Sequence, residues 1–163
     1  MRIVTLGGVT FGAAILIIVG MKWWFREKHR ISALAPFLIS LGYGMLLILS
    51  GGGVLGWAAG LALWGGNGVG DLSLVWGVGG TTSNVTRARQ LVLDPGGHVI
   101  VLLLTVVLVC LWAYAGKIPN KKIFMGIVCG ICLGLSGTLA GYAAVPLGSG
   151  ANLAGLAFTE LLA

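Results

Sequence analysis

Apolar and polar positions follow one another along this chain in long blocks, not in the short periods of a half-buried helix or strand. The first block runs over residues 3–21 and is followed by Lys22-Trp-Trp-Phe-Arg-Glu-Lys-His-Arg30. About 20 apolar residues of helix cross a hydrocarbon core of about 30 Å, so this block reads as a membrane span. A signal peptide carries its cations in front and a small-residue cleavage site behind. Here the dense basic cluster comes behind, which is a stop-transfer pattern, and Trp23, Trp24 and Phe25 fit an interfacial aromatic belt. The second block covers residues 34–60 and trails on to Trp64. It is too long for one straight crossing, because 30 residues of helix reach about 45 Å. Ser50-Gly-Gly-Gly53 divides it, so a tilted or broken span is expected, with a re-entrant segment as the alternative. Residues 98–115 form the third block, opened by Asp94-Pro95 as N-cap and first-turn proline. The fourth covers 123–145, is expected to stop at Pro146 and Gly148, and leaves 151–162 as a tail of helix length. Between the second and third lies a polar-leaning connection, 65–96, where short strands or a surface helix over 86–93 are expected, since long structureless loops are uncommon. The pattern predicts an all-α polytopic membrane protein, one membrane domain over 1–163 with four transmembrane helices.

Composition strengthens this picture and narrows it. The chain is 58% hydrophobic and holds ten Lys/Arg and four Asp/Glu among 163 residues, with a mean hydropathy of +1.04. Too little charge is present to cover a soluble core of that size, which excludes a soluble enzyme, a secreted disulfide scaffold and a disordered tail. The net charge of +6 sits in short clusters between apolar runs, so specific nucleic-acid recognition is not expected. Lys22, Arg26, Lys28 and Arg30 follow the first span, and Lys117, Lys121 and Lys122 follow the third; only Arg2, Arg87 and Arg89 fall on the other side. By the positive-inside bias the two basic connections face the cytoplasm, and both termini and the 65–96 connection lie outside a plasma membrane. These seven cations are expected to meet anionic lipid headgroups, or to line a lumen as a charged ring if several subunits assemble. Asn84-Val-Thr86 matches a glycosylation acceptor in the outside connection, a pattern that chance supplies often.

Glycine, at 29 residues, carries the most specific signal. Helices in lipid associate through close van der Waals contact, which small residues permit. Gly126, Gly130 and Gly134 recur every four residues, and Gly137 and Gly141 continue the stripe after a phase adjustment. Gly52, Gly56 and Gly60 form a second run, and Gly8 with Gly12 a lesser pair. Two readings follow: packing inside one bundle, or self-association through at least one stripe. The second is preferred, because two such stripes exceed what a four-helix unit needs.

Motifs of chemistry are sparse. Cys129-Gly-Ile-Cys132 has redox spacing but lies mid-helix in apolar surroundings, where thiols act as small packing groups. Gly51-Gly-Gly-Val-Leu-Gly56 matches a dinucleotide fingerprint by letters and lacks the strand context. His29 and His98 lie far apart near membrane boundaries. Glu27, Asp71, Asp94 and Glu160 all fall outside the spans, so no proton relay is apparent. The hydroxyls of Thr105, Ser136, Thr138 and Tyr142 are expected to bond carbonyls four residues back or groups across helices. No nucleophile, base and orienting acid are grouped, so neither enzyme activity, a cofactor nor a metal is expected.

Residues 98–145, two apolar helices joined by Gly116-Lys-Ile-Pro-Asn-Lys-Lys122, resemble the core of conjugative pilins of the type IV secretion class. That resemblance implies filament assembly with associated lipid and the turn facing the lumen. As a whole the chain is similar to small hydrophobic membrane proteins of actinobacterial conjugative elements, which implies a bacterial plasma-membrane protein partnered with transfer-apparatus proteins. The sequence is therefore read as a self-associating structural subunit, a homo-oligomer forming a scaffold, pore or pilus-like conduit. The alternatives are a small channel or exporter subunit and an accessory subunit of a larger hetero-oligomeric complex.

Overall fold

The computed structural model describes residues 4–27, 29–85, 93–114, 120–134 and 136–162; side chains of 111, 137–141, 144, 159 and 162 lie outside that description. Its described residues form helices α1 (Leu6–Arg26), α2 (Ile31–Leu49), α3 (Gly53–Leu72), α4 (Pro95–Tyr114), α5 (Asn120–Leu133) and α6 (Gly137–Leu162), and a π-helical turn, Ser73–Gly77, extends α3. Thr5 starts α1 by accepting the Gly8 N–H on its hydroxyl at 3.2 Å, and Arg26 in the last turn complements the helix dipole. In the turn to α2, His29 takes φ +59°, and the Trp23 indole donates to the Arg30 carbonyl at 2.9 Å. The α2–α3 break falls at 50–52, inside the expected interval. Gly51 and Gly53 both take φ +67° there, a left-handed conformation that a side chain would strain.

Helix pairing follows the glycines. The most extensive contact is between α2 and α5, which run parallel. A Cβ on Gly126 would fall on Ser40 Oγ, one on Gly130 on the Leu41 carbonyl, one on Gly134 at 2.9 Å from Ile48, and one on Gly44 on the Ile127 carbonyl. The second pairing is antiparallel: Gly7 of α1 and Gly70 of α3 meet backbone to backbone, and Gly8 faces the Asn67 amide. The third sets Gly96 of α4 against Gly155 of α6, with Gly97 against Asn152. Between them lies an apolar core that includes Tyr43, Leu46, Ile48, Leu63, Val101 and Ile131, with a second cluster around Ile15, Phe37, Met45 and Leu133.

Three described helices are long and apolar enough to cross a membrane: α1, α2 and α4. This corrects the expectation of four. The expected 123–145 span is two helices, because α5 ends at Leu133, where the Ser136 N–H bonds the Leu133 carbonyl three residues back at 3.0 Å before α6 begins. What remains as α5, 14 residues, reaches about 21 Å, short of the hydrocarbon thickness. Pro146 does not stop the chain but lies inside α6; the freed Tyr142 carbonyl can be re-satisfied locally, as in other apolar helices that carry an internal proline. The 65–96 connection is also shorter than expected, since α3 and its π turn carry helix to Gly77, sustained by packing of Gly66 and Gly70 on α1 and α5. Beyond it, Thr5 and Asn84 form an isolated antiparallel bridge. The helix expected over 86–93 lies almost wholly outside the described residues.

Gly130→Ala is expected to destabilise the bundle by about 1–3 kcal/mol through overpacking, because its Cβ would meet the Leu41 backbone. Gly20→Ala meets nothing within 4 Å and should be neutral or gain about 0.5–1 kcal/mol of helix preference. Thermal unfolding of the two variants in the same detergent checks the contrast.

Candidate functional site

The two basic connections come together at one end of the bundle. Lys122 at the start of α5 pairs with Glu27 just past α1 and donates to the Ala33 carbonyl of α2 at 2.8 Å. Both partners are largely enclosed, Lys122 at 12% and Glu27 at 18% side-chain exposure. Lys122 is thus a clasp between three elements and not a headgroup or lumen charge, because its ammonium is already occupied within the chain. Lys22, Arg26, Arg30 and Lys121 are exposed at this end, while Lys28 and Lys117 lie outside the described residues. The belt residues Trp24 and Phe25 are exposed beside them. His29 is packed edge-on against the rings of Trp23 and Trp24, with centroids 5.3 and 4.2 Å away.

Above Lys121 an apolar groove of about 630 Å³ opens between α2, α4 and α5. Leu108, Val109, Trp112, Ile123, Phe124 and Ile127 form most of its wall. At its inner end Thr105 donates to the Val101 carbonyl at 2.7 Å, so the Tyr43 hydroxyl, 2.8 Å from Thr105 Oγ1, is the donor across the helices. Both hydroxyl protons are thereby engaged. Ser136 similarly donates to the Leu133 carbonyl at 2.9 Å. Tyr142 is exposed, and the side chain of Thr138 lies outside the description.

At the opposite end His98 clasps the break between α2 and α3. One ring nitrogen lies 2.9 Å from the Asp94 carbonyl and the other 3.1 Å from the Ser50 carbonyl. Asn152 accepts the Asp94 N–H at 3.2 Å, tying α6 to the same corner. Cys129 and Cys132 are fully buried; Cys129 donates to the Gly12 carbonyl at 3.2 Å, and Cys132 faces Gly66. They fill the space that glycines of α1 and α3 leave.

Of the expected packing glycines, Gly126, Gly130 and Gly134 lie together in the α2–α5 seam. Gly56 is buried on α3, Gly60 is half-buried, and Gly52 is the N-cap of α3, open to solvent or lipid. Gly137 and Gly141 stand on α6, with surroundings outside the description. Sequence reasoning missed Gly7, Gly44, Gly70, Gly96 and Gly155, whose partners are single glycines or carbonyls on distant helices; of these Gly70 left a local trace, its four-residue spacing from Gly66. It also missed the clasp, although a lone acid, Glu27, inside a cationic run was its visible trace. Among the described residues no group of His, Cys, Asp or Glu could hold a metal.

Compared with protein-family models, curated proteins and solved structures, the chain matches none of them. It is a helical protein of multi-pass membrane character, with helix faces suited to close packing.

Lys122→Ala should lower stability by about 1–3 kcal/mol, between the values for exposed and buried pairs, because it leaves the Glu27 carboxylate enclosed without its partner. Lys121→Ala, at an exposed position, should leave the unfolding midpoint unchanged. Restored stability in the double variant Glu27→Gln with Lys122→Ala, followed by thermal unfolding, checks the pairing.

Proposed function

We propose that this chain is a structural, non-catalytic membrane subunit that assembles with copies of itself through the outer face of α3. One observation carries the reading. The inner face of α3 packs Gly56, Ala59, Leu63, Gly66 and Gly70 against its own bundle, while its outer face leaves Trp57, Leu61 and Trp64 exposed around open space at Gly65 and Gly68. Bulky side chains flanking two open glycines allow a neighbouring helix to approach its backbone closely. The α3 helix carries no Asp, Glu, Lys or Arg from Gly53 to Gly70, so no charge opposes burial of that stretch.

The α5 stripe, the preferred surface for self-association from sequence, is engaged with α2 and is not offered to a neighbour. In its finest form the reading is a scaffold or pilus-like conduit in a DNA- or protein-transfer apparatus. Its support is the layout shared with conjugative pilins, two helices joined by a basic turn. The channel alternative has less support, because the hydroxyls of Thr105 and Ser136 are bonded to carbonyls of their own helix or turn.

Gly65→Leu combined with Gly68→Leu should reduce a multi-copy particle, extracted gently from membrane, to single copies while leaving the unfolding midpoint unchanged. Native mass spectrometry reads copy number; an unchanged number sinks assembly through α3, and a single wild-type copy among unlike proteins favours the accessory-subunit alternative. The positive-inside bias places the Lys121 end in the cytoplasm. An impermeant thiol reagent applied to intact cells should therefore label Ser83→Cys and spare Lys121→Cys, and the reverse pattern would invert the topology.

A further inference from the structure

The groove between α2, α4 and α5 has a wall almost wholly of carbon, a hydrogen-bonded pair of hydroxyls at its inner end, and a cation at its mouth. Such a cavity does not hold water well, because water needs two to four polar partners and the Tyr43 and Thr105 protons are already donated. From Thr105 to Trp112 on α4, and from Lys121 to Ile127 on α5, it follows roughly 10 Å of helix. A flexible hydrocarbon chain can follow such an apolar wall. At the mouth, Lys121 is exposed and makes no ion pair among the described residues, while its neighbour Lys122 is held by Glu27. Trp112, 63% exposed, stands at the same level, the aromatic and basic pairing found where lipid headgroups meet protein.

We infer that this groove is a binding site for one acyl chain of an anionic glycerophospholipid, whose phosphate is met by the Lys121 ammonium. The complementarity has two parts: the apolar wall takes up part of the chain, and Lys121, a rim cation without an ion pair among the described residues, matches the phosphate. Lipid in this position would fill the space between the lower halves of α4 and α5, where Val109 and Phe124 stand exposed at 55% and 69%. The site rests on the membrane reading and is independent of assembly through α3.

The test is native mass spectrometry of the intact chain in mild detergent with equal amounts of dioleoyl phosphatidylglycerol and dioleoyl phosphatidylcholine. The wild type should retain one phosphatidylglycerol in preference. Lys121→Gln should weaken that retention about fivefold and leave phosphatidylcholine unaffected. Val109→Trp, which fills the groove, should abolish retention of both. Equal retention of the two lipids by the wild type, or undiminished phosphatidylglycerol on either variant, overturns the site. A second readout does not depend on the groove-filling variant folding. Phosphatidylglycerol brominated on its acyl chain should quench a component of tryptophan fluorescence that is absent from Trp112→Phe, and quenching identical in the two proteins overturns the assignment. Dimers that disappear with Val109→Trp would mean that a second copy occupies the groove, which also overturns it.

Discussion

Helices already surrounded by hydrocarbon gain little from the hydrophobic effect when they meet, so this bundle depends on how closely backbones can approach. Glycine sets that approach. Where Gly7 meets Gly70, where Gly96 meets Gly155, and where Gly126 and Gly130 meet α2, a single methyl group would fall on backbone or on a buried side chain. Close contact there gains dispersion along the whole seam. The thiols of Cys129 and Cys132 and the hydroxyl of Ser40 complete the packing by entering space that larger side chains would overfill. Removing that closeness at one crossing therefore alters the spacing of neighbouring helices as well.

Polar contacts hold the ends where glycine holds the middle. Glu27 and Lys122 close one end, and His98 with the Ser50 and Asp94 carbonyls closes the other. These groups lie where chain reversals leave helix carbonyls or charges without intrahelical partners. Between the two ends the hydroxyls of Ser40, Thr105 and Ser136 bond to carbonyls of their own helix or turn, and Tyr43 bonds Thr105 across helices. The groove beside α4 is by contrast almost entirely apolar, with Lys121 exposed at its rim.

The α1, α2 and α4 helices were legible as apolar blocks of spanning length, because block length is a property of the sequence itself. The break at 50–52 was legible for the same local reason: consecutive glycines permit the left-handed turns that Gly51 and Gly53 adopt. Length failed as a guide at α5, where a run of apolar residues packs against α2 and is interrupted after Leu133. It failed again at α3, whose many glycines and Asn67 resemble a loop in composition but are helical because each sits against a specific neighbour. The Gly126-Gly130-Gly134 stripe was visible as a close-contact surface, yet its partner was not, since spacing says that a helix will pack tightly and not against which helix. Gly7 and Gly155 show the converse, isolated letters given meaning only by a residue far along the chain.

The clasp at the basic end bears on the order in which the protein can be made. Glu27 leaves the ribosome with the first helical hairpin, but its partner Lys122 follows 95 residues later. Gly7 likewise waits for Gly70, and Gly126 reaches its α2 seat only after α4 has been threaded. The early hairpin therefore enters the bilayer with an unpaired carboxylate and open glycine faces. The closed bundle is complete only when α5 arrives.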